Sequence, residues 1–353
     1  MVCVLGLTLA CYPPPAPVAS TPSPSLAPGP AASVQSEPFA VGLDRPTGLA
    51  IGPDGALYAA DHGGLVWRLV DEDGDGRADR PAAPVQGLIF PTALLWVTLP
   101  DGAPTLLIGG RGGLYRWSLG QTAPQVILDA LPGVGSFAIN DLALGPDGFV
   151  YLSQSTAWMA PDMAPPEPGA VWRLDLAALS GPAAEEAVEL FAGGFRTPFG
   201  LAFSPSGALY LVDSGIGWPA DPSRPEEVNL LLGGGNYADP APGAIGPMAT
   251  FPAGVAAADV LFYLGQQWPD LTYRLVVAWS GLADAPSAEA PPSPRLARVE
   301  IVSDAAGYHS TVDDFFLGLR QPFGLVEGPD GSLYVSDYRA GAVYRLRGVQ
   351  PMP

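Results

Sequence analysis

Sixteen arginines and two histidines carry all the basic side chains of this 353-residue chain, which has no lysine and a net charge of −19. Against that acidic background the placement of the basic groups is informative, because a few guanidinium groups gathered in one place make a pocket for an anionic ligand. Arg45, Arg196 and Arg320 hold equivalent positions in a recurring phrase: Arg45-Pro-Thr-Gly-Leu49, Arg196-Thr-Pro-Phe-Gly-Leu201 and Arg320-Gln-Pro-Phe-Gly-Leu325. Arg111, Arg339, Asn140 and Asp141, with Asp213 and Asp337, fall in segments that the repeat order below sends to the same side. Proton transfer near neutral pH calls for a group such as His62, in Asp61-His62-Gly63-Gly64, with Asp141 as the second candidate. His309, the other histidine, precedes an outer strand and belongs on the rim. Each of these residues also has a plain structural use, since arginines commonly pair with carbonyls and carboxylates between neighbouring units.

A second cluster points to different chemistry. Asp71-Glu-Asp73-Gly-Asp75-Gly-Arg77-Ala-Asp79 sets acidic groups at alternate positions with glycine at the bend, the layout of a calcium loop. Its hard oxygen ligands would be Asp71, Asp73, Asp75, the Arg77 carbonyl and Asp79. The twelfth position is Ala82, where such loops carry a glutamate, and the same residues would also make a solvated hairpin tip. A bound calcium here would stiffen the hairpin and take no part in catalysis.

The elements that must position these groups are announced by repetition. Gly-Leu-Ala, then Gly-Pro-Asp-Gly, then Leu-Tyr-x-x-Asp, then Val-Trp-Arg-Leu runs from Gly42 and, with small changes, from Gly318; parts of it recur from Gly193 and, diverged, from Gly133, and looser units start near Gly87 and Ala253. Such self-similarity marks a radial array of small sheets, because one sheet cannot bury both its faces alone. Proline sets φ and glycine accepts a positive φ, so Pro-Asp-Gly forms the tight turn after each inner strand. The reading is an all-β, six-bladed β-propeller. The last unit lacks its outer strand, and Pro38-Phe-Ala-Val-Gly-Leu43 is its expected supplier, closing the ring by pairing the two ends of the chain. Alternating strand order then puts the Pro-Asp-Gly turns on one side of the ring and the arginine-bearing loops on the other.

Composition bounds the rest. Charged residues are 14% and apolar ones 48%, which suits many short buried strands, and the negative charge argues against nucleic acid as a partner. Residues 1–11, ending in Leu-Ala-Cys11, resemble the end of a bacterial lipoprotein signal with Cys11 as the lipidated residue. Residues 12–37 read as a disordered Pro/Ala/Ser-rich tether, 38–348 as the propeller and 349–353 as a tail. An extracytoplasmic location is therefore expected, with membrane contact only through a lipid on Cys11. The two cysteines, Cys3 and Cys11, leave the folded part with no disulfide and no thiolate metal site.

Gly194-Phe-Arg196-Thr-Pro-Phe-Gly-Leu-Ala-Phe, followed by Glu226-Glu-Val-Asn229 and Gly235-Asn-Tyr237, resembles the glucose/sorbosone dehydrogenase family, and Asp259-Val-Leu-Phe-Tyr and Gly328-Pro-Asp-Gly-Ser-Leu-Tyr-Val-Ser-Asp337 follow in the family's order. That resemblance implies a six-bladed propeller holding pyrroloquinoline quinone (PQQ) and often calcium, in which arginines hold the cofactor's carboxylates. It also implies oxidation of a sugar or aldehyde, a histidine taking the hydroxyl proton while hydride passes to the quinone. Arg196 matches the family's cofactor arginine, and its usual Asn neighbour is Thr197 here. The family's catalytic histidine falls in Gly135-Ser136-Phe137, and a second one is replaced by Gly254. Three readings therefore stand: a quinone-dependent dehydrogenase using His62 or Asp141 as base and Arg45, Arg111, Arg196, Arg320, Arg339 and Asn140 for the cofactor; a tethered, non-catalytic propeller binding a glycan or other anionic ligand; and, last, a lactonase with metal ligands such as Asn140 and Asp213 at the axis.

Overall fold

A computed structural model describes residues 34–131, 137–156, 169–180, 187–214, 225–238, 241–281, 293–304 and 307–349. The lipoprotein-like segment, most of the tether and the final residues lie outside the described residues, as do Gly135, Ser136 and Asp239-Pro240. Among the described residues there is no α-helix, only a single 3-10 turn at Leu176–Ser180.

Six sheets surround one axis, each starting from an inner strand: Pro46–Ile51, Pro91–Thr98, Phe137–Leu144, Pro198–Phe203, Ala257–Tyr263 and Pro322–Glu327. These define blades 1 to 6. Within every blade the chain steps outward by antiparallel hairpins, and blade 3 gains a short fifth strand, Gly235–Asn236, paired in parallel. The ring closes as the sequence expects, through pairing of the two chain ends. Val34–Val41 is the outer strand of blade 6, running antiparallel to Ala342–Gly348 from Val34 opposite Gly348 to Val41 opposite Ala342. It begins four residues before Pro38, so part of the expected tether is strand, and an ion pair from Arg347 Nη2 to Glu37 Oε2 (2.9 Å) fastens the added length.

The apolar residues explain why the ring must close. They form six clusters, one at each junction between neighbouring blades, such as Leu107, Leu114 and Leu128 of blade 2 against Ile139, Leu152 and Trp172 of blade 3. Each blade is thus hydrophobic on both faces, and an open ring would leave two faces in water. Near the axis every junction also carries a buried bond from a side chain to the next blade's backbone. Thr47 Oγ1 donates to Pro91 O (2.7 Å), Thr92 Oγ1 to Ile139 O (2.5 Å) and Asn140 Nδ2 to Pro198 O (2.6 Å). Glu226 accepts from the Ala256 and Ala257 amides (2.8 and 2.6 Å), Ser280 donates to Pro322 O, and Ser336 Oγ to Thr47 O (2.5 Å). The recurring Gly of the phrase serves the same approach: a Cβ at Gly48 would sit 2.3 Å from Thr92 O, and one at Gly324 2.3 Å from Thr47 O.

Candidate functional site

The loops entering the inner strands and those following the second strands share one side of the ring, and their packing explains why the phrase recurs. Asp213 accepts from the Arg196 and Thr197 amides, and Asp337 from those of Arg320 and Gln321 (2.6 and 3.0 Å), so in blades 4 and 6 the aspartate ending the Leu-Tyr strand ties down the arginine loop through its backbone, whereas Asp61 of blade 1 turns to the Leu65 amide and Trp67 Nε1. Repetition of Arg at these positions therefore does not give all three side chains one task. Arg320 and Arg339 are exposed, and neither side chain makes an ion pair among the described residues.

Arg45, His62 and Arg111 do come together, around a chain of aromatic rings at the mouth of the axial channel. His62 packs edge-on to Phe90 (centroids 4.3 Å apart, 89°) and faces Tyr338 at 6.2 Å. Tyr338 stacks on Phe323 (5.9 Å, 27°), which meets Phe199 at 6.0 Å. The Arg45 guanidinium lies 5.9 Å from the Tyr338 centroid, and that of Arg111 lies 5.6 Å from the Phe90 centroid. Arg45 also binds the exposed Asp44 through two nitrogens (2.9 and 3.3 Å). Both Arg45 (φ 56°) and Phe90 (φ 46°) adopt the left-handed region directly before a proline, a costly conformation for non-glycine residues and one that collects at binding sites. Burial, followed by the Arg45 and Arg111 charges, holds the His62 imidazole below its ordinary pKa, and Asp44 offsets only part of this. At neutral pH His62 is therefore uncharged and able to accept a hydrogen bond.

Arg196 has a different setting from the one its sequence position implies. It is drawn into blade 4, where Nη2 donates to Pro225 O (2.7 Å) and carboxylate oxygens of Asp213 and Glu227 lie 3.6 Å away. Burial raises Asp213 and Glu226 above the usual carboxylate range, and the Arg196 charge counters part of that shift. Arg196 Nη1 and Asn229 Oδ1 are buried there without hydrogen-bond partners. An arginine already facing this many carboxylates is a counter-ion of the blade rather than a hold for a further anion. Asn140 is likewise committed, with Nδ2 bound to Ser155 Oγ and Pro198 O as the clip between blades 3 and 4.

Below the mouth, a chamber of about 270 Å³ runs along the axis, lined by inner-strand residues that include Thr92, Asn140, Phe323, Asp141, Asp259 and Glu327. Asp141, the second proton-transfer candidate, is therefore on the axis, and its Oδ2 accepts from the Leu201 amide (2.7 Å). Sequence reasoning did not single out Asp259, Phe90, Phe199, Phe323 or Tyr338. The signal for Asp259 was present, because it takes the place that Gly48, Gly200 and Gly324 hold in the phrase. Phe137, at the place of the family's catalytic histidine, is 2% exposed in the core between blades 2 and 3, and Gly254 sits at φ +84°, where a histidine would be strained.

The acidic loop lies on the opposite side, between the third and fourth strands of blade 1. Asp71, Asp73 and Asp79 bring carboxylate oxygens within 4.8 Å of one another. Asp75 is outside this group and caps the Arg77 amide (2.8 Å), while Asp71 accepts from Gly74 and Gly76 (2.7 and 2.9 Å). The loop is tied to the closing strand by the bond from the Ala78 amide to Phe39 O (2.8 Å). Carboxylates alone are a donor set that suits calcium.

Comparison with known proteins agrees with this architecture. The aldose sugar dehydrogenase of Streptomyces coelicolor in its PQQ-bound form superposes with TM-score 0.63 at 17% identity, over 91% of this chain and 99% of that one. The soluble aldose sugar dehydrogenase of Escherichia coli in its apo-form gives 0.61 at 19%, over 90% and 100%. The holo PQQ domain of pyranose dehydrogenase from Coprinopsis cinerea gives 0.64 at 14%, over 92% and 98%. The fold is that of the PQQ-dependent sugar dehydrogenases. By sequence, the N-terminal profile of the strictosidine synthase-like family matches residues 42–69, which is the first copy of the repeat phrase. No curated protein matches the chain in sequence.

PQQ is a planar, aromatic polyanion, and the mouth meets each of those properties: rings to lie against, and Arg45 and Arg111 as cations in an otherwise acidic chain. The residues present therefore fit such a group on the side of blades 6, 1 and 2, and do not fit it at Arg196.

Proposed function

We propose that this chain is an oxidoreductase that binds a PQQ-type quinone at the channel mouth and oxidises a sugar or aldehyde there. The observation that carries the reading is the run of half-buried rings, Phe199, Phe323, Tyr338, His62 and Phe90, flanked by two guanidinium groups and held by strained backbone at Arg45 and Phe90. Arg45 and Arg111 would hold the cofactor's carboxylates, and the rings would set its plane and exclude water from one face. The quinone, when bound, supplies a hydride acceptor. Neutral His62 accepts a hydrogen bond from a substrate hydroxyl and orients it. Calcium would be held by Asp71, Asp73 and Asp79, stiffening the seam between blade 1 and the closing strand. The lipobox-like start supports an extracytoplasmic protein anchored through Cys11, a placement checked by labelled palmitate that enters the wild type and not Cys11→Ser. Protein loaded with PQQ and calcium should reduce an artificial electron acceptor with at least one aldose or aldehyde; no turnover across a broad panel removes the reading.

A second reading has its own support. The buried Phe137, Gly254 and the neutralised Arg196 are departures at positions where the resemblance puts chemistry, which favours a propeller that binds an anionic glycan without turnover. Binding on a glycan array with no dye reduction would select it.

A further inference from the structure

Arg320 and Arg339 are left over by the site described above, and the fold ties them to one another. Arg320 stands in the loop entering blade 6 and Arg339 follows that blade's second strand, so both lie on the mouth side, and both are exposed. One buried carboxylate fixes the two loops: Asp337 accepts from the Arg320 and Gln321 amides (2.6 and 3.0 Å) and from the amide of Ala340 (3.0 Å), directly after Arg339. On standard bond lengths these contacts keep the two arginine Cα atoms within about 12 Å, so their long side chains can meet on one small anion. The same loops carry the ring platform. Tyr338 lies between Asp337 and Arg339, its amide donates to Gln321 O (2.9 Å), and its ring stacks on Phe323 and meets the Arg45 guanidinium. An anion held by Arg320 and Arg339 is thus on the blade 6 flank of the platform, while Arg111 stands on the blade 2 flank. Blade 4 shows what leaves this pair available. Its Arg196 and Asp213 hold the positions of Arg320 and Asp337, and Glu227 pairs opposite Asp213, which draws the guanidinium inward. In blade 6 the residue opposite Asp337 is Ala342, so no carboxylate at that place claims Arg320. On the neighbouring loop, the exposed Asp44 is engaged by Arg45 (2.9 Å). Among the described arginines without an ion pair, Arg77 and Arg80 sit in the acidic loop and Arg116 is bound to Gln125 Oε1 and Leu179 O; the others, Arg111, Arg320 and Arg339, are all at the mouth.

We propose that Arg320 and Arg339 bind the anionic group of the substrate and that the substrate is an acidic sugar, one bearing a carboxylate or a phosphate ester. The substrate class rests on the oxidoreductase reading above; the anion site does not. In that reading Arg45 and Arg111 are occupied by the cofactor's carboxylates, which leaves Arg320 and Arg339 as the cations open to a second ligand. A guanidinium offers parallel N–H donors that match either anionic group with two bonds, and a neutral hydroxyl gives it no such partner. Preference for a charged sugar then needs no change at the reacting carbon, because the anion is held at the rim beside Tyr338. The rest of the molecule cannot supply this attraction. At a net charge of −19 the chain repels an anionic sugar over most of its surface, so its capture is confined to the mouth. Both guanidinium groups are open to solvent, and salt will screen what they contribute.

Saturation-transfer NMR titration reads the site without any turnover. Glucuronate, galacturonate and glucose 6-phosphate, with glucose as the neutral reference, are titrated into full-length protein with and without PQQ. At least one anionic sugar should bind saturably and about tenfold or more tighter than glucose, and the carboxylate and phosphate arms tell which group the site takes. Arg320→Ala and Arg339→Ala should each weaken that binding about tenfold, as expected for loss of a charge-assisted hydrogen bond, whereas Arg80→Ala, on the opposite side of the ring, leaves it within about twofold. Raising salt from about 50 to about 500 mM should weaken it in the wild type. Anionic sugars that bind no tighter than glucose, or whose binding neither substitution weakens, overturn the proposal. An equal loss of PQQ uptake in the two variants also overturns it, since the arginines would then hold the cofactor. Oxidation of neutral aldoses by PQQ-loaded protein that binds no anionic sugar removes this inference and leaves the oxidoreductase reading standing. Anion binding that the variants lose, with no sugar oxidised, removes that reading and keeps the anion site. If either variant fails to fold, the preference for the anion and its salt dependence in the wild type decide alone.

Discussion

Replacing Asp141 by Asn should make the propeller more stable at alkaline pH, by a margin that shrinks toward zero as pH falls to about 4. The folded protein lifts the Asp141 carboxyl from 3.8 to about 7, chiefly by burial. A carboxyl raised on folding stabilises the fold fully below its unfolded value, and that contribution is lost as pH climbs toward the folded one. About three units at 1.36 kcal/mol each put the loss near 4 kcal/mol between about pH 4 and pH 8. Asparagine keeps the acceptor for the Leu201 amide and carries no charge, so the variant avoids most of this loss. Asp213 and Glu226 are also raised by burial, but they are the same in both proteins and cancel in the difference. At about 2 °C per kcal/mol for a ring of this size, thermal unfolding should show the variant roughly 8 °C above wild type at pH 8.5 and about 3 °C above it at pH 5, where only about 1.6 kcal/mol has been lost. Parallel Tm curves from pH 5 to pH 8.5 would refute a strained carboxylate pair on the axis.

Arg196→Ala should cost about 3–5 kcal/mol of stability, because it leaves the Asp213, Glu226 and Glu227 carboxylates without their cation. Denaturant unfolding checks this, and a loss under 1 kcal/mol would return Arg196 to the list of ligand-binding groups. Calcium should raise Tm in the wild type and not in Asp73→Asn, read by calorimetry with and without chelator, since Asp71, Asp73 and Asp79 are the carboxylates close enough to share an ion. Deleting residues 34–41 removes the outer strand of blade 6 and with it Phe39 and Ala40 from the blade 6–1 core, so cooperative unfolding should vanish; a sharp transition would show that the ring does not depend on its closing strand.

The fold was legible because the repeat states its own architecture. Pro-Asp-Gly turns fixed the strand alternation, and the missing outer strand of the last unit pointed to the N-terminal segment that fills it. Its start was misplaced by four residues because Val34-Gln-Ser-Glu has the polarity of a tether, and its pairing depends on Arg347, distant in sequence. The site was only half legible. Arg45, His62 and Arg111 stand out in the sequence because basic residues are scarce, and the fold brings these three together. Arg196 and Asn140 were assigned to the cofactor because nothing in the sequence shows that Glu227 and Pro198 would claim them. Phe199 and Phe323 were read as part of the phrase, although the same position is Thr47 in blade 1 and a ring at the mouth is what distinguishes them. Asp259 was overlooked because its meaning lies in which glycine it replaces, and in the carboxylate that another blade places in the same chamber.

The account turns on the mouth being a quinone site, and equilibrium titration of PQQ into the purified full-length protein, followed by its absorbance, tests that directly. It predicts saturable uptake of one quinone per chain, weakened about tenfold or more in Arg111→Ala and in Arg45→Ala, in line with loss of a charge-assisted hydrogen bond. Uptake that fails to saturate, or that neither substitution weakens, would contradict it.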